Sequence, residues 1–221
     1  MPESLRAFLE QVPEELAPPE PGSPRERILS AARALFAERG FSRAGIRAIA
    51  AVAAVNPAMI HYYYGNKGLL HRRVIAQELR ATIRGIFERL EPGLPPAEVL
   101  VRIPIGIMRE MRGNPERLGL LRREIADGGE QVRRAIVEMG PHGPLGLRDL
   151  ISSLIRGAQA RGEVRPLPVE AILPFLVAVG HGSMIMEPFF QLVLGIEAAD
   201  ETSWSRRLES FEVLLRQGLA V

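Results

Sequence analysis

Cysteine is missing from this chain of 221 residues, tryptophan occurs once, and Lys67 is the sole lysine. Without cysteine there are neither disulfides nor thiolate metal sites, and the absence fits a cytosolic location. Long apolar runs are lacking too. The most apolar stretch, residues 171–195, is interrupted by Pro174, His181, Glu187, Pro188 and several glycines. A membrane-spanning helix needs about 20 apolar residues in succession, so this stretch reads as a buried or interface helix and no membrane association is expected. The opening residues, MPESLRAFLEQVPEELAPPEP, hold no basic region followed by an apolar one, so they are not a signal peptide. Catalytic motifs are equally scarce. There is no phosphate-binding loop, no HExxH and no nucleophile elbow, since His181-Gly182-Ser183 has the wrong spacing. No spaced cluster of His, Asp and Glu suggests a metal site, so no enzyme activity, metal or cofactor is expected.

What is present suits a packed helical protein. Apolar residues make up 47%, and aromatic ones only 5%. The net charge of +2 conceals a partition along the chain. Residues 1–23 carry one arginine and five glutamates, a net of −4; residues 24–73 carry eight arginines and Lys67 against Glu26 and Glu38, a net of +7. The rest is nearly balanced at −1. One block of 50 residues therefore concentrates positive charge, as binding to a polyanion requires.

Caps and apolar spacing predict an all-α fold. Residues 1–22, rich in Pro and Glu, form an acidic extension. Leu5, Phe8, Leu9 and Val12 at helical spacing fit a short amphipathic helix there, and the flanking prolines fit an unstructured tail equally well. Ser23-Pro24-Arg25-Glu26 starts a helix over about 24–39, with Ser23 and Glu26 as a capping box. Ile28, Ala31, Ala32, Leu35 and Phe36 make its apolar stripe, and Gly40 ends it. A helix over about 45–53 follows, then a turn, then a short helix capped by Asn56 with Pro57 in its first position. Asn66 caps a long helix from Lys67 to about Leu90. Further helices are expected over about 97–112, 116–126, 130–139, 145–160, 169–186 and 203–218, with 188–194 continuing after a kink at Pro188.

Two short helices joined by a tight turn, at 45–53 and 56–63, are a helix-turn-helix pattern. A helix lying in the major groove offers small and polar groups near its start. Asn56, Pro57, Ala58, His61 and Tyr62 meet that need, while Ile60 and Tyr64 point inward. Tyrosine hydroxyls and a histidine ring can donate to phosphate oxygens, and the Ala58 methyl can touch a thymine methyl. Lys67 at a helix start suits a phosphate clamp.

Residues 25–74, RERILSAARALFAERGFSRAGIRAIAAVAAVNPAMIHYYYGNKGLLHRRV, resemble the DNA-binding domain of TetR/AcrR-type transcriptional regulators. The ALFAERGF run, the Ile49-Ala50 pair and the Tyr-Tyr-Tyr-Gly-Asn-Lys run carry the resemblance. It implies a homodimer on a near-palindromic operator, usually a repressor released by a small, here apolar, molecule. In such proteins the positions of His61, Tyr62, Tyr63 and Lys67 contact DNA, and that of Arg47 meets the backbone. Two departures stand out. Ala54 occupies a turn position usually held by glycine, at a cost of about 1 kcal/mol if the turn is left-handed. Pro57 and Met59 replace the frequent Lys and Thr, so operator preference does not carry over.

The resemblance divides the chain into an extension (1–22), a DNA-binding domain (23–70) and an effector-binding and dimerisation domain (71–221). It places a dimer interface on the helices near 169–186 and 203–218, with Ala171, Leu173, Phe175, Ala178, Gly182, Phe211, Leu214 and Leu215 as its apolar faces. Met108, Met111, Met139, His181, Met184, Phe189 and Trp204 are the candidates for an effector pocket, although methionines fill ordinary cores equally well. Rival readings are an activator or ligand-independent DNA-binding protein on the same scaffold, and a small-molecule-binding protein with a vestigial DNA module.

Overall fold

The computed structural model describes residues 3–11, 13, 16–91, 93–196 and 200–219; Val12 lies outside them. Among the described residues every regular element is helical. The chain runs through α1 (Glu3–Glu10), α2 (Pro24–Arg43), α3 (Ile46–Val52), α4 (Pro57–Tyr64), α5 (Lys67–Glu88), α6 (Pro96–Gly113) and α7 (Pro115–Ala126). It continues through α8 (Glu130–Met139), α9 (Pro144–Ala160), α10 (Val169–Val177), α11 (Ser183–Ile185), α12 (Glu187–Leu194) and α13 (Glu201–Leu219).

The caps start the helices as their residue types predict. Ser23 Oγ accepts from Glu26 N at 3.1 Å, Asn56 Oδ1 from Ala58 N at 2.9 Å, and Asn66 Oδ1 from Leu69 N at 2.9 Å. Ser23 N–H donates to Glu20 O, which leaves it no call on the Glu26 carboxylate, so the capping box is half made. Gly40 does interrupt α2: its φ of 75° and ψ of 168° are non-helical, and residues 41–43 form one further turn beyond the kink. The predicted helix over 169–186 is broken differently, by a wide π-turn at Ala178–Gly182 between α10 and α11. The chain then bends by 66° into α12. No single helix among the described residues is long and apolar enough to cross a membrane.

The helices pack into two compact units. The first comprises residues 10–81 and 114–146. Its interior is built from Ile28, Ala32, Leu35 and Phe36 of α2, Ile49 and Ala50 of α3, Ile60 and Tyr64 of α4, Leu70 and Val74 of α5, and Leu120 of α7. α7 lies against α2, and Arg123 fixes the pair. Its Nε donates to Ala37 O at 2.6 Å and its Nη2 donates to Glu38 O. Those carbonyls belong to the last turn of α2 before Gly40, where helical partners run out and a cation complements the helix dipole. Beside them the buried His71 Nε2 stands 3.0 Å from Glu124 Oε1, with the rings of Phe36 and Phe41 packed against the imidazole at 4.4 and 4.9 Å.

The second unit comprises residues 1–9, 82–113 and 147–221. Leu100, Ile105, Met108 and Met111 of α6 are buried, as are Ile155 and Ala158 of α9, and Ile172 and Leu176 of α10. Close approach is possible at the π-turn because position 180 is glycine: a Cβ there would lie 2.8 Å from Cβ of Ile107. In α1, Leu5 and Leu9 are buried. Glu98 binds Arg216 at 2.7 Å and Arg102 at 2.9 Å, and Glu187 binds Arg207 at 2.6 Å. α5 is unbroken through residues 81 and 82 and so contributes side chains to each unit. Packing thus groups 71–81 and 114–146 with residues 10–70, so the compact units do not follow the expected division at residue 70.

Candidate nucleic-acid interface

The helix-turn-helix is formed by α3, the turn at residues 53–56, and α4. α3 ends in overlapping turns, with Ala53 N donating to Ile49 O, Ala54 N to Ala51 O and Val55 N to Ala50 O. Ala54 has φ of +52°, the left-handed region that disfavours any side chain. The turn therefore demands the conformation for which glycine is suited, and alanine adopts it with strain.

Beyond the turn, Asn56 and Pro57 start α4 and set its two faces. Ile60 and Tyr64 are buried, and Tyr64 Oη donates to Arg25 O at 2.8 Å, which fastens the end of α4 to the start of α2. The opposite face carries Asn56, Pro57, Ala58, His61, Tyr62 and Tyr63, all exposed. Tyr62 is 82% exposed and stacks edge-on against Tyr63 with ring centroids 5.0 Å apart. His61 Nδ1 lies 2.8 Å from Gly65 O, so the ring is held at the helix end through that nitrogen. Arg47 is exposed on α3. Lys67 is half-buried, with Nζ 3.3 Å from Ser42 O and 4.5 Å above the centre of the Phe41 ring. Its burial lowers the pKa from the ordinary lysine value. The structure thus gathers every DNA-contact candidate into one segment of the first unit, 47–67, and shows that His61 and Lys67 already have protein partners.

The effector candidates are less coherent. Met108, Met111, Met184 and Trp204 are buried in the second unit, on elements that pack against α6 or belong to it. Arg112 lies 4.5 Å above the Trp204 ring, a cation–π contact. His181 is half-buried, and desolvation lowers its pKa against an opposing backbone hydrogen bond at Val177. Phe189 is 49% exposed, and Met139 is buried in the first unit. Among the expected interface residues, Ala171, Phe175, Ala178 and Leu214 are exposed, Leu173, Gly182 and Phe211 are half-buried, and Leu215 faces the core. Among the described residues no group of three His, Asp or Glu side chains is placed to hold a metal.

Sequence reasoning passed over Arg123 and the His71–Glu124 pair. Their partners lie far away in the chain, and no local periodicity announces them. It also passed over Arg27, whose Nε donates to Ala53 O at 3.1 Å.

A short helix pair with a strained turn, a polar outer face on its second helix and a larger set of helices after it define a helix-turn-helix transcriptional regulator. Residues 28–74 match the family described as bacterial regulatory proteins, tetR family. The chain is 26% identical over 142 residues to the HTH-type transcriptional regulator UidR of Escherichia coli K12, covering 64% of this chain and 69% of that one. It is 41% identical over 64 residues to the HTH-type transcriptional repressor SCO4008 of Streptomyces coelicolor, covering 29% and 33%. The fold matches that of the ketosteroid transcriptional regulator KstR2 of Mycobacterium tuberculosis, with a TM-score of 0.65 at 15% identity over 93% of this chain and 99% of that one. Residues 28–74 thus form a DNA-binding domain of the tetR family, and the chain is a DNA-binding transcriptional regulator like the relatives it matches.

Proposed function

We propose that the protein is a homodimeric repressor that binds a near-palindromic operator and is released by a small apolar molecule. The observation that carries this reading is the outward face of α4. Asn56, Pro57, Ala58, His61, Tyr62 and Tyr63 are exposed together while Ile60 and Tyr64 anchor the helix from behind. Two such helices in successive major grooves stand about 34–36 Å apart. Arg47 and Lys67 flank the face as phosphate partners, Lys67 after releasing Ser42 O. Residues 23–70 are the DNA-binding domain on this reading, and residues 71–221 bind effector and partner protomer, in the cytoplasm.

Dimerisation is supported by the apolar side chains that the second unit leaves exposed: Phe175 and Val177 on α10, Leu192 on α12 (85% exposed), and Val213 and Leu214 on α13. An effector is supported by the buried methionines of α6 and α11, since methionine adapts its shape to a guest. It would act only through its differential affinity for the DNA-competent and incompetent conformers.

The test is a salt-controlled mobility-shift assay on the operator found by genomic footprinting. Tyr62→Ala and Lys67→Ala are expected to weaken binding without changing the oligomeric state, and Lys67→Ala to reduce the slope of log K against log salt by about one unit. Unchanged affinity in both variants overturns the contact assignment. A complex that no candidate effector dissociates points instead to a ligand-independent DNA-binding protein.

A further inference from the structure

Ala54 presents a problem that the local sequence does not solve. A non-glycine residue in the left-handed region costs about 1–2 kcal/mol, and such strain persists only where neighbouring structure over-determines the conformation. Two backbone hydrogen bonds hold the turn from the α3 side, at Ala54 N and Val55 N. The third tie comes from Arg27 on α2, 26 residues earlier, whose Nε donates to Ala53 O, the carbonyl immediately before Ala54. That carbonyl lies at the negative end of the α3 dipole, where a cation is favoured. The same guanidinium donates from Nη1 to Gly22 O at 3.0 Å. One planar fork thus bridges two backbone carbonyls, one in the segment that precedes the matched family region and one in the helix-turn-helix turn. Only arginine has donors arranged to do this; the lysine ammonium is a point charge.

We infer that Arg27 is a positioning residue for DNA recognition: it pins the strained Ala53–Ala54 turn and thereby fixes the direction in which α4 leaves it. This rests on the reading that α4 enters the major groove. Three residues separate Ala53 from the first residue of α4, so a small change in the turn moves the whole exposed face of Asn56 to Tyr63.

The competing role for an exposed arginine in a basic block is direct phosphate contact, and a double-mutant cycle separates the two. Arg27→Gln is expected to lower operator affinity about tenfold, with little change in affinity for non-specific DNA or in the salt slope. In an Ala54→Gly background the turn is no longer strained, so the same substitution should cost at most about threefold. Arg27→Lys should recover only part of the loss. A loss of equal size in both backgrounds, or a salt slope reduced by about one unit, overturns the inference and makes Arg27 a phosphate ligand. Hydrogen exchange at Val55 N–H, measured without DNA, reports on the turn alone. It should speed up in Arg27→Gln, and unchanged exchange also overturns the positioning role. If Tyr62→Ala leaves operator affinity intact while Arg27→Gln lowers it in the strained background only, the assignment of α4 contacts fails and the tie between Arg27 and the turn stands.

Discussion

The two compact units share apolar interiors and ion pairs but differ in how their cations meet the backbone. In the first, cationic side chains reach backbone carbonyls at the ends of elements: Arg123 at Ala37 and Glu38, Arg27 at Ala53 and Gly22, Lys67 at Ser42, Arg73 at Ala17, and Arg80 at His142. In the second, Arg165 on Gln217 O is such a tie, and it is exposed. There the charged residues pair with one another around an interior of close apolar contacts, such as Gly180 on Ile107 and Gly106 on Ile86. A hydrogen bond to a carbonyl is directional and fixes where a helix end points. Apolar burial is not directional and tolerates exchange of one partner for another. A unit that must present α4 in one orientation gains from the first device. A unit that must accommodate a guest, as proposed for the second, gains from apolar burial.

Four changes would break or sharpen that contrast. The largest effect is expected at the buried pair of the first unit. Glu124→Leu leaves the buried His71 ring nitrogen without its partner among aromatic rings and should reduce stability by up to about 3 kcal/mol in urea unfolding. A neutral result would mean that apolar packing around His71 holds the unit without the pair. Next, Gly180→Ala in the second unit places a methyl group against Ile107 and should cost about 1–3 kcal/mol by overpacking, read as a lower thermal midpoint. A smaller change, and opposite in sign, is expected at the turn. Ala54→Gly relieves the left-handed strain and should raise stability by about 1 kcal/mol, visible as a shifted urea midpoint at unchanged slope.

The smallest effect concerns acid. The Arg216 hydrogen bond, with help from Arg102, holds the Glu98 carboxyl below its usual range. Because the folded pKa lies below the unfolded one, the stabilisation is complete above the unfolded value and is lost as pH falls through the folded value. Glu98→Gln should therefore flatten the acid limb of stability against pH, and an unaltered limb would assign acid sensitivity to other carboxylates.

The sequence carried the local parts of this architecture well. Ser23-Pro24 and Asn56-Pro57 start their helices because cap and proline act within a few residues, and Ile60 and Tyr64 turn inward because four residues make about one helical turn. The strain at Ala54 was legible through the family resemblance, which puts glycine at that turn position. What stayed hidden depends on distant partners. Arg123 meets Ala37 across 86 positions, and the π-turn at Ala178–Gly182 lies where Gly180 meets Ile107 of α6. Neither leaves a period or a cap in the residues around it. The effector candidates suffered for the same reason. A list of methionines and aromatic residues does not say which share an interior, and Met139 lies in a different unit from Met108.

Lys67 has a practical consequence. It is the chain's only primary amine apart from the α-amino group, and its partial burial over Phe41 leaves more of it unprotonated than an ordinary lysine at the same pH. An acylating dye at neutral pH should therefore mark one side chain of the protein, next to the surface proposed to meet DNA. Operator DNA should shield that amine, so the labelling rate at Lys67, separated from that of the α-amino group by peptide mapping, would serve as a binding assay that needs no engineered handle.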